Sequence, residues 1–248
     1  MVLDDVVIAC ISGLSGVSEN SGITMLRDTL QTYLSPLGVK PENIFRRSWH
    51  HSQDGNVGAE PWTEDLNNEI NNRTANPSYL AIIGHSYGGW AACRLSKVTN
   101  REPDFIGLID PVFGRDNVLE RRDYPRGKYI INWHQNNFIT YIRCGTGIPC
   151  FRGRDGIMCG FTNVPGAVNN IDKEYMEDWE RNIVYENCGT DRFPIRIRKR
   201  TSHTELDAHK GIHRDIYDKL SGDISKLISS AQQLQQLQLI MTLLSRRP

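Results

Sequence analysis

The sequence predicts an α/β chain built on a mostly parallel sheet with helices on both faces. Three observations carry this expectation. Short apolar, β-branched runs recur along the chain and end in turn residues, as at 5–11, 78–83 and 104–109. Between them lie stretches whose apolar residues fall at helical spacing. The two kinds alternate, and strands joined through helices pair in parallel. A length of 248 residues suits one such domain better than two small ones.

Each element follows from local chemistry. Residues 5–11 form a continuous apolar run, as expected of a strand buried on both faces. A helix is predicted over 21–35, with Ser21 as its cap and Ile23, Leu26, Leu30, Tyr33 and Leu34 as its stripe. Pro36 and Gly38 stop it. A short strand at 43–49 precedes a helix at 63–71, which has Thr63 as cap and Glu64 and Asp65 in an acidic first turn. The strand at 78–83 runs into Gly84-His85-Ser86-Tyr87-Gly88-Gly89, and a helix then extends to about residue 98. Strands follow at 104–109, ending in Asp110-Pro111, and at 128–133. Residues 193–199 alternate Phe193, Ile195 and Ile197 with Arg196 and Arg198, and are predicted as the last strand. An amphipathic helix at 212–228 closes the domain.

No repeat or linker interrupts residues 1–230, which are expected to form a single domain. Residues 138–192 read as a long insertion before the last strand, either capping a site or decorating the surface. The tail, 231–248, is rich in Gln and Leu. Its Leu234, Leu237, Ile240, Met241 and Leu244 fit a helical stripe. Packing on the domain, association and a vector origin are all open for it.

Formal net charge is zero, so no global field draws nucleic acid or an anionic membrane. No run of about 18 apolar residues is present, so no transmembrane helix is expected. Met1-Val2-Leu3 leads into Asp4-Asp5 without a basic region or cleavage site. That makes the cytoplasm the default location, although a secreted chain whose leader has been removed reads the same. Cys10 and Cys93 fall in a predicted strand and helix and read as small core residues. Cys144, Cys150, Cys159 and Cys188 contain no C-x-x-C pair, which argues against zinc. They suit disulfides in an exported protein and free thiols otherwise.

The chemistry concentrates at Gly84-His85-Ser86-Tyr87-Gly88, a G-x-S-x-G pattern between an apolar strand and an amphipathic helix. A serine at such a turn is strained and thrusts its hydroxyl outward. Glycines on both sides avoid collision with the turn, and the helix N-terminus favours developing negative charge. In this pattern and its order of elements the chain resembles the α/β-hydrolase superfamily. The resemblance implies an α/β-hydrolase fold with a sheet of about eight strands or slightly fewer. It also implies a nucleophile at Ser86 and a partner order of serine, carboxylate, histidine.

A serine hydroxyl needs a base within hydrogen-bond reach. The candidates after Ser86 are His134, His203, His209 and His213. His203 is preferred because it lies just after the predicted last strand, where superfamily members resembling this chain carry the base. His209 and His213 are expected to be solvated, and His134 to end a strand near the cleft. For the acid, Asp110 ends the strand after the elbow helix, on the sheet edge shared with Ser86. The next strand ends in His134-Gln135-Asn136-Asn137 and offers no carboxylate. An acid in the earlier position resembles pancreatic-type lipases and acyl-carrier thioesterases. Asp207 lies too close to His203 in sequence to be preferred. The oxyanion hole is assigned to the backbone amides of Leu14 and Tyr87, with Gly13 allowing close approach.

These readings predict a serine ester hydrolase acting on a small acyl ester, with no cofactor. An acyl thioesterase and a non-catalytic binding module are the alternatives. Arg196, Arg198, Lys199 and Arg200 read as a solvated edge face or as a dock for an anionic leaving group. Tyr87 and Trp133 are candidate apolar walls, with a core role the simpler reading for Trp133. His50-His51 reads as a surface loop or a cleft lining.

Overall fold

A computed structural model of the chain describes residues 3–13, 21–50, 59–137, 141–143, 149–151, 160–175, 181–188, 191–198 and 201–245. For 141–143, 149–151, 181–188, 191–198 and 244 the backbone alone is described. The elements run β1 (Val6–Ser12), α1 (Gly22–Leu34), β2 (Ile44–Ser48), α2 (Thr63–Asn71), β3 (Tyr79–His85), α3 (Tyr87–Val98), β4 (Phe105–Ile109) and β5 (Ile130–His134). There follow β6 (Tyr141–Arg143), β7 (Pro149–Phe151), β8 (Asn169–Asp172), β9 (Arg181–Cys188) and β10 (Asp191–Arg198). The chain then passes through α4 (His203–Leu206) into α5 (Lys210–Ser245).

Six strands form one parallel sheet in the order β2-β1-β3-β4-β5-β8. Their side chains alternate between two cores. Val6, Ile8 and Cys10 of β1 pack toward α1 and the first half of α5, together with Leu26, Leu30, Ile212 and Ile216. Val7, Ala9 and Ile11 pack toward α2 and α3, together with Leu66, Ala91, Cys93 and Leu95. A strand buried on both sides has no polar face to show, which explains the unbroken apolar runs in β1, β3 and β4. Burial of each such Ile or Leu is worth roughly 1.5–3 kcal/mol. Cys10 and Cys93 are buried free thiols. Burial pushes the Cys10 thiol up to about 12 and raises that of Cys93 as well.

The strand order places one feature of consequence for function. After β1 the chain moves outward to β2, then crosses back to place β3 on the other side of β1. The loops leaving β1 and β3 therefore diverge at adjacent carboxyl ends, and such a reversal opens a crevice in parallel sheets.

The boundaries differ from the sequence expectation in four places. The sixth sheet strand is β8, inside the segment read as an insertion, and the predicted strand at 193–199 pairs antiparallel with β9. Only two residues separate β9 from β10, too few for the crossover that a parallel partner requires. The sequence of β8, Asn-Asn-Ile-Asp, belongs to a mostly exposed edge strand and carries no apolar signal. Thr63 is the first residue of α2 rather than its cap, and the helix starts without a side-chain cap bond. α5 continues through the tail to Ser245. Ser21 does cap α1, accepting from the amide of Thr24. The basic side chains at 196–200 and those of the four late cysteines lie outside the described residues.

Candidate active site

Ser86 stands between β3 and α3 with φ 57° and ψ −126°. A conformation this unfavourable for a residue with a Cβ costs on the order of 1–3 kcal/mol and needs surrounding structure to hold it. The glycines supply the room. A Cβ on Gly84 would lie 2.1 Å from the carbonyl oxygen of Gly88, and one on Gly88 would lie 2.2 Å from that of Ile11. The bend is also pinned by hydrogen bonds. The Ser86 amide donates to the Ile109 carbonyl at 3.0 Å, and the Ser86 carbonyl accepts from the amides of Gly89 and Val112.

Three distant side chains meet here. The Ser86 hydroxyl lies 2.8 Å from Nε2 of His203, and Nδ1 of His203 lies 2.7 Å from Oδ2 of Asp110. A carboxylate can only accept, so Nδ1 carries the hydrogen. Nε2 is then a lone-pair acceptor facing the serine hydroxyl. His203 opens α4, a single helical turn closed by a capping box between Ser202 and Glu205.

Asp110 is fully buried and has φ 46°. Its charge is met from several directions. Oδ1 accepts from the amides of Gln135 (3.2 Å) and Gly160 (2.8 Å), and Oδ2 accepts from Nε2 of Gln135 (2.9 Å) in addition to His203. The network continues outward. The Gln135 side-chain oxygen accepts from the Asn137 amide at 2.7 Å, and the Asn137 side chain donates to the carbonyls of Glu174 and Thr201 at 2.8 Å each. One polar chain thus links the seat of Asp110 to the segment that carries His203.

A second histidine braces the first. His85, the residue before the serine, is buried, and its Nε2 donates to the backbone carbonyl of His203 at 2.9 Å. The two rings lie 4.9 Å apart. Burial lowers the pKa of His85, while the carboxylate of Asp207, 3.7 Å from Nδ1, pulls it the other way. Asp207 also accepts from the amide of Ile23 at the start of α1. It therefore supports the site from outside and does not contact the ring of His203 as an acid would.

The remaining predicted residues fall as follows. Gly13 sits at the crevice, where an added Cβ would lie 2.6 Å from Cβ of Ser86. Leu14 lies outside the described residues. Tyr87 opens α3, which puts its amide in the helix N-terminal turn beside the serine. Its ring is a core group, tilted against Trp49 with the ring centres 4.7 Å apart. Trp133 is likewise wholly buried. His134 ends β5 and is buried.

His209 and His213 correct the expectation of solvated side chains. Both are buried, because the first turn of α5 is tucked under the sheet. Nδ1 of His209 accepts from the amides of Gly211 and Ile212, which caps that helix. Nε2 of His213 donates to the Asp207 carbonyl. His50 packs edge-on against Trp62 beside a cleft of about 540 Å³ that Arg46 and Arg47 also line, and His51 lies outside the described residues. Among the described residues, no three His, Cys, Asp or Glu side chains converge as a metal site requires.

No family model, no curated protein and no solved structure matches this chain.

Gln135, Gly160 and His85 are supporting residues that sequence reasoning did not assign. Gln135 follows the strand that offered no carboxylate, and its amide side chain serves to hold one. Nothing in the sequence marks Gly160, which acts through its backbone. His85 lies inside the motif but at its variable position.

Proposed function

We propose that this chain is a serine ester hydrolase of the α/β-hydrolase type, working through an acyl-enzyme on Ser86. The observation that carries the reading is the continuous relay Ser86–His203–Asp110, with links of 2.8 and 2.7 Å assembled from three separate strand ends and loops. Histidine beside a strained serine, with its far nitrogen held by a buried carboxylate, is the arrangement that makes a hydroxyl nucleophilic at neutral pH.

The steps follow from the atoms. Ser86 Oγ forms a bond to the acyl carbon as His203 Nε2 takes its proton. Asp110 stabilises the imidazolium and keeps the ring oriented. The acyl oxygen carries the negative charge of the tetrahedral intermediate, beside the amide of Tyr87 at the start of α3. The carbon–oxygen bond to the alcohol breaks, and the alcohol leaves with the proton from Nε2. Water then attacks the acyl-enzyme, giving a proton to Nε2, and the carboxylic acid leaves as Ser86 recovers its hydrogen. The acid position at the end of β4 keeps an acyl thioesterase as the second reading, in which a thiol leaves in place of the alcohol.

Fluorophosphonate labelling followed by mass spectrometry tests the proposal. An adduct on Ser86 that disappears in His203→Ala is expected, together with hydrolysis of p-nitrophenyl esters. Absence of label from Ser86 in the folded chain would overturn it and leave a binding module. Comparing p-nitrophenyl esters with acyl-CoA separates ester from thioester preference.

A further inference from the structure

α5 behaves as two different helices. In its first half Ile212, Ile216, Leu220 and Ile224 are fully buried under the sheet. In its second half Leu234, Leu237, Ile240 and Met241 are between 51% and 69% exposed. At about 100° per residue these four fall within an arc of about 120°, an apolar stripe, while Leu239 and Leu243 are exposed outside that arc. Leu234, Leu237 and Met241 are separated by three and then four residues, which is the spacing of a two-helix seam. Nothing among the described residues covers them.

The composition around the stripe distinguishes its possible occupants. Residues 227–245 contain no charged side chain, and the face opposite the stripe carries Gln232, Gln235, Gln236 and Gln238 together with Leu239 and Leu243. A helix that lies in a membrane surface carries Lys or Arg on its polar face, and this one does not. No described helix is long and apolar enough to cross a membrane. A strongly charged partner finds nothing to pair with. A second copy of the same segment fits best: two identical uncharged helices meet without like-charge repulsion, and a two-fold axis makes one stripe complementary to itself. The cost of helix nucleation is already met, because the buried half of α5 anchors the exposed half in helical form.

We propose that the exposed half of α5 pairs with the same segment of a second copy, making the protein a two-fold dimer. The segment 231–245 is about 22 Å long at 1.5 Å per residue. A seam of this length lies at the low end of specific interface sizes, below about 1,200 Å² in total. The dimer is therefore reversible and concentration-dependent.

Sedimentation velocity of the full chain across a wide concentration series tests this. The expected mass rises from that of one 28.2 kDa chain toward twice that value. Leu237→Glu combined with Met241→Glu keeps the chain monomeric at every concentration, with its thermal unfolding at low concentration unchanged. Leu239→Gln combined with Leu243→Gln, on the other side of the helix, leaves the dimer intact. A wild-type chain that stays monomeric throughout overturns the proposal. So does association that persists in the double glutamate variant. Flotation of a monomeric wild-type chain with phosphatidylcholine vesicles assigns the stripe to a lipid surface and overturns it also.

Discussion

Two neighbouring strand ends carry Ser86 and Asp110, the proposed nucleophile and acid, and both residues take a positive φ. Ser86 follows β3 with φ 57°, and Asp110 follows β4 with φ 46°. Each is pinned to the next strand across, Ser86 through its amide to Ile109 and Asp110 through its amide to Trp133 at 2.7 Å. The bends are held open differently. The serine bend is local, depending on glycines two residues away on either side, and among the described residues its hydroxyl has a single side-chain partner, His203. The aspartate bend depends on distant segments, with Gln135, Gly160 and His203 all reaching its carboxylate. A reacting oxygen has to be left able to leave its partner for a substrate. A buried charge has to be met on every side, because burying it uncompensated costs several kcal/mol. On the proposed function, the contrast is one of chemical role.

The largest effect should come from breaking the aspartate side. Asp110→Asn offers an amide where Nδ1 needs an acceptor, which favours the wrong imidazole tautomer. A drop in kcat on the order of 10⁴-fold is expected with p-nitrophenyl acetate, by analogy with triads elsewhere. A loss of less than tenfold in a folded variant would mean that the carboxylate is not the partner the geometry indicates.

A smaller effect should come from the brace behind the base. His85→Gln removes the ring that donates to the His203 carbonyl and packs beside its imidazole. A fall in kcat on the order of tenfold with little change in KM is expected, because a displaced base misaligns the reacting atoms without touching the acyl group. A change confined to KM would reassign His85 to substrate contact.

The smallest effect concerns stability rather than rate. Burial lowers the pKa of both His85 and His213 below the ordinary 6.5. The folded chain keeps both neutral while the unfolded chain protonates them, so unfolding takes up protons. The associated stability is fully present above about 6.5 and is lost as pH falls through the ordinary value toward the depressed folded ones. Thermal melts between about pH 7 and pH 5 should show the unfolding temperature falling, with a shallower slope in His213→Gln. Parallel slopes in the two proteins would remove His213 from the account.

Much of the arrangement was readable from residue order alone, for reasons that differ between elements. β1, β3 and β4 were visible because both of their faces meet helices, leaving nothing polar to blur the run. Ser86 was visible because its bend is written within five consecutive residues. β8 was not visible, since an exposed edge strand of Asn, Asn, Ile and Asp looks like a loop. The depth of His209 and His213 was also hidden, because their burial depends on how the start of α5 seats under the sheet.

The sequence by itself determined the alternation of strands and helices and the residue that could be thrust outward at a turn. Those are near-neighbour properties, set by periodicity and by the sterics of adjacent residues. Tertiary structure alone decided that Asp110 would sit in a cage made by Gln135 and Gly160, and that His85 would brace His203. Such contacts join segments 25 to 118 positions apart along the chain. Only the path of the folded backbone brings those segments within hydrogen-bonding distance.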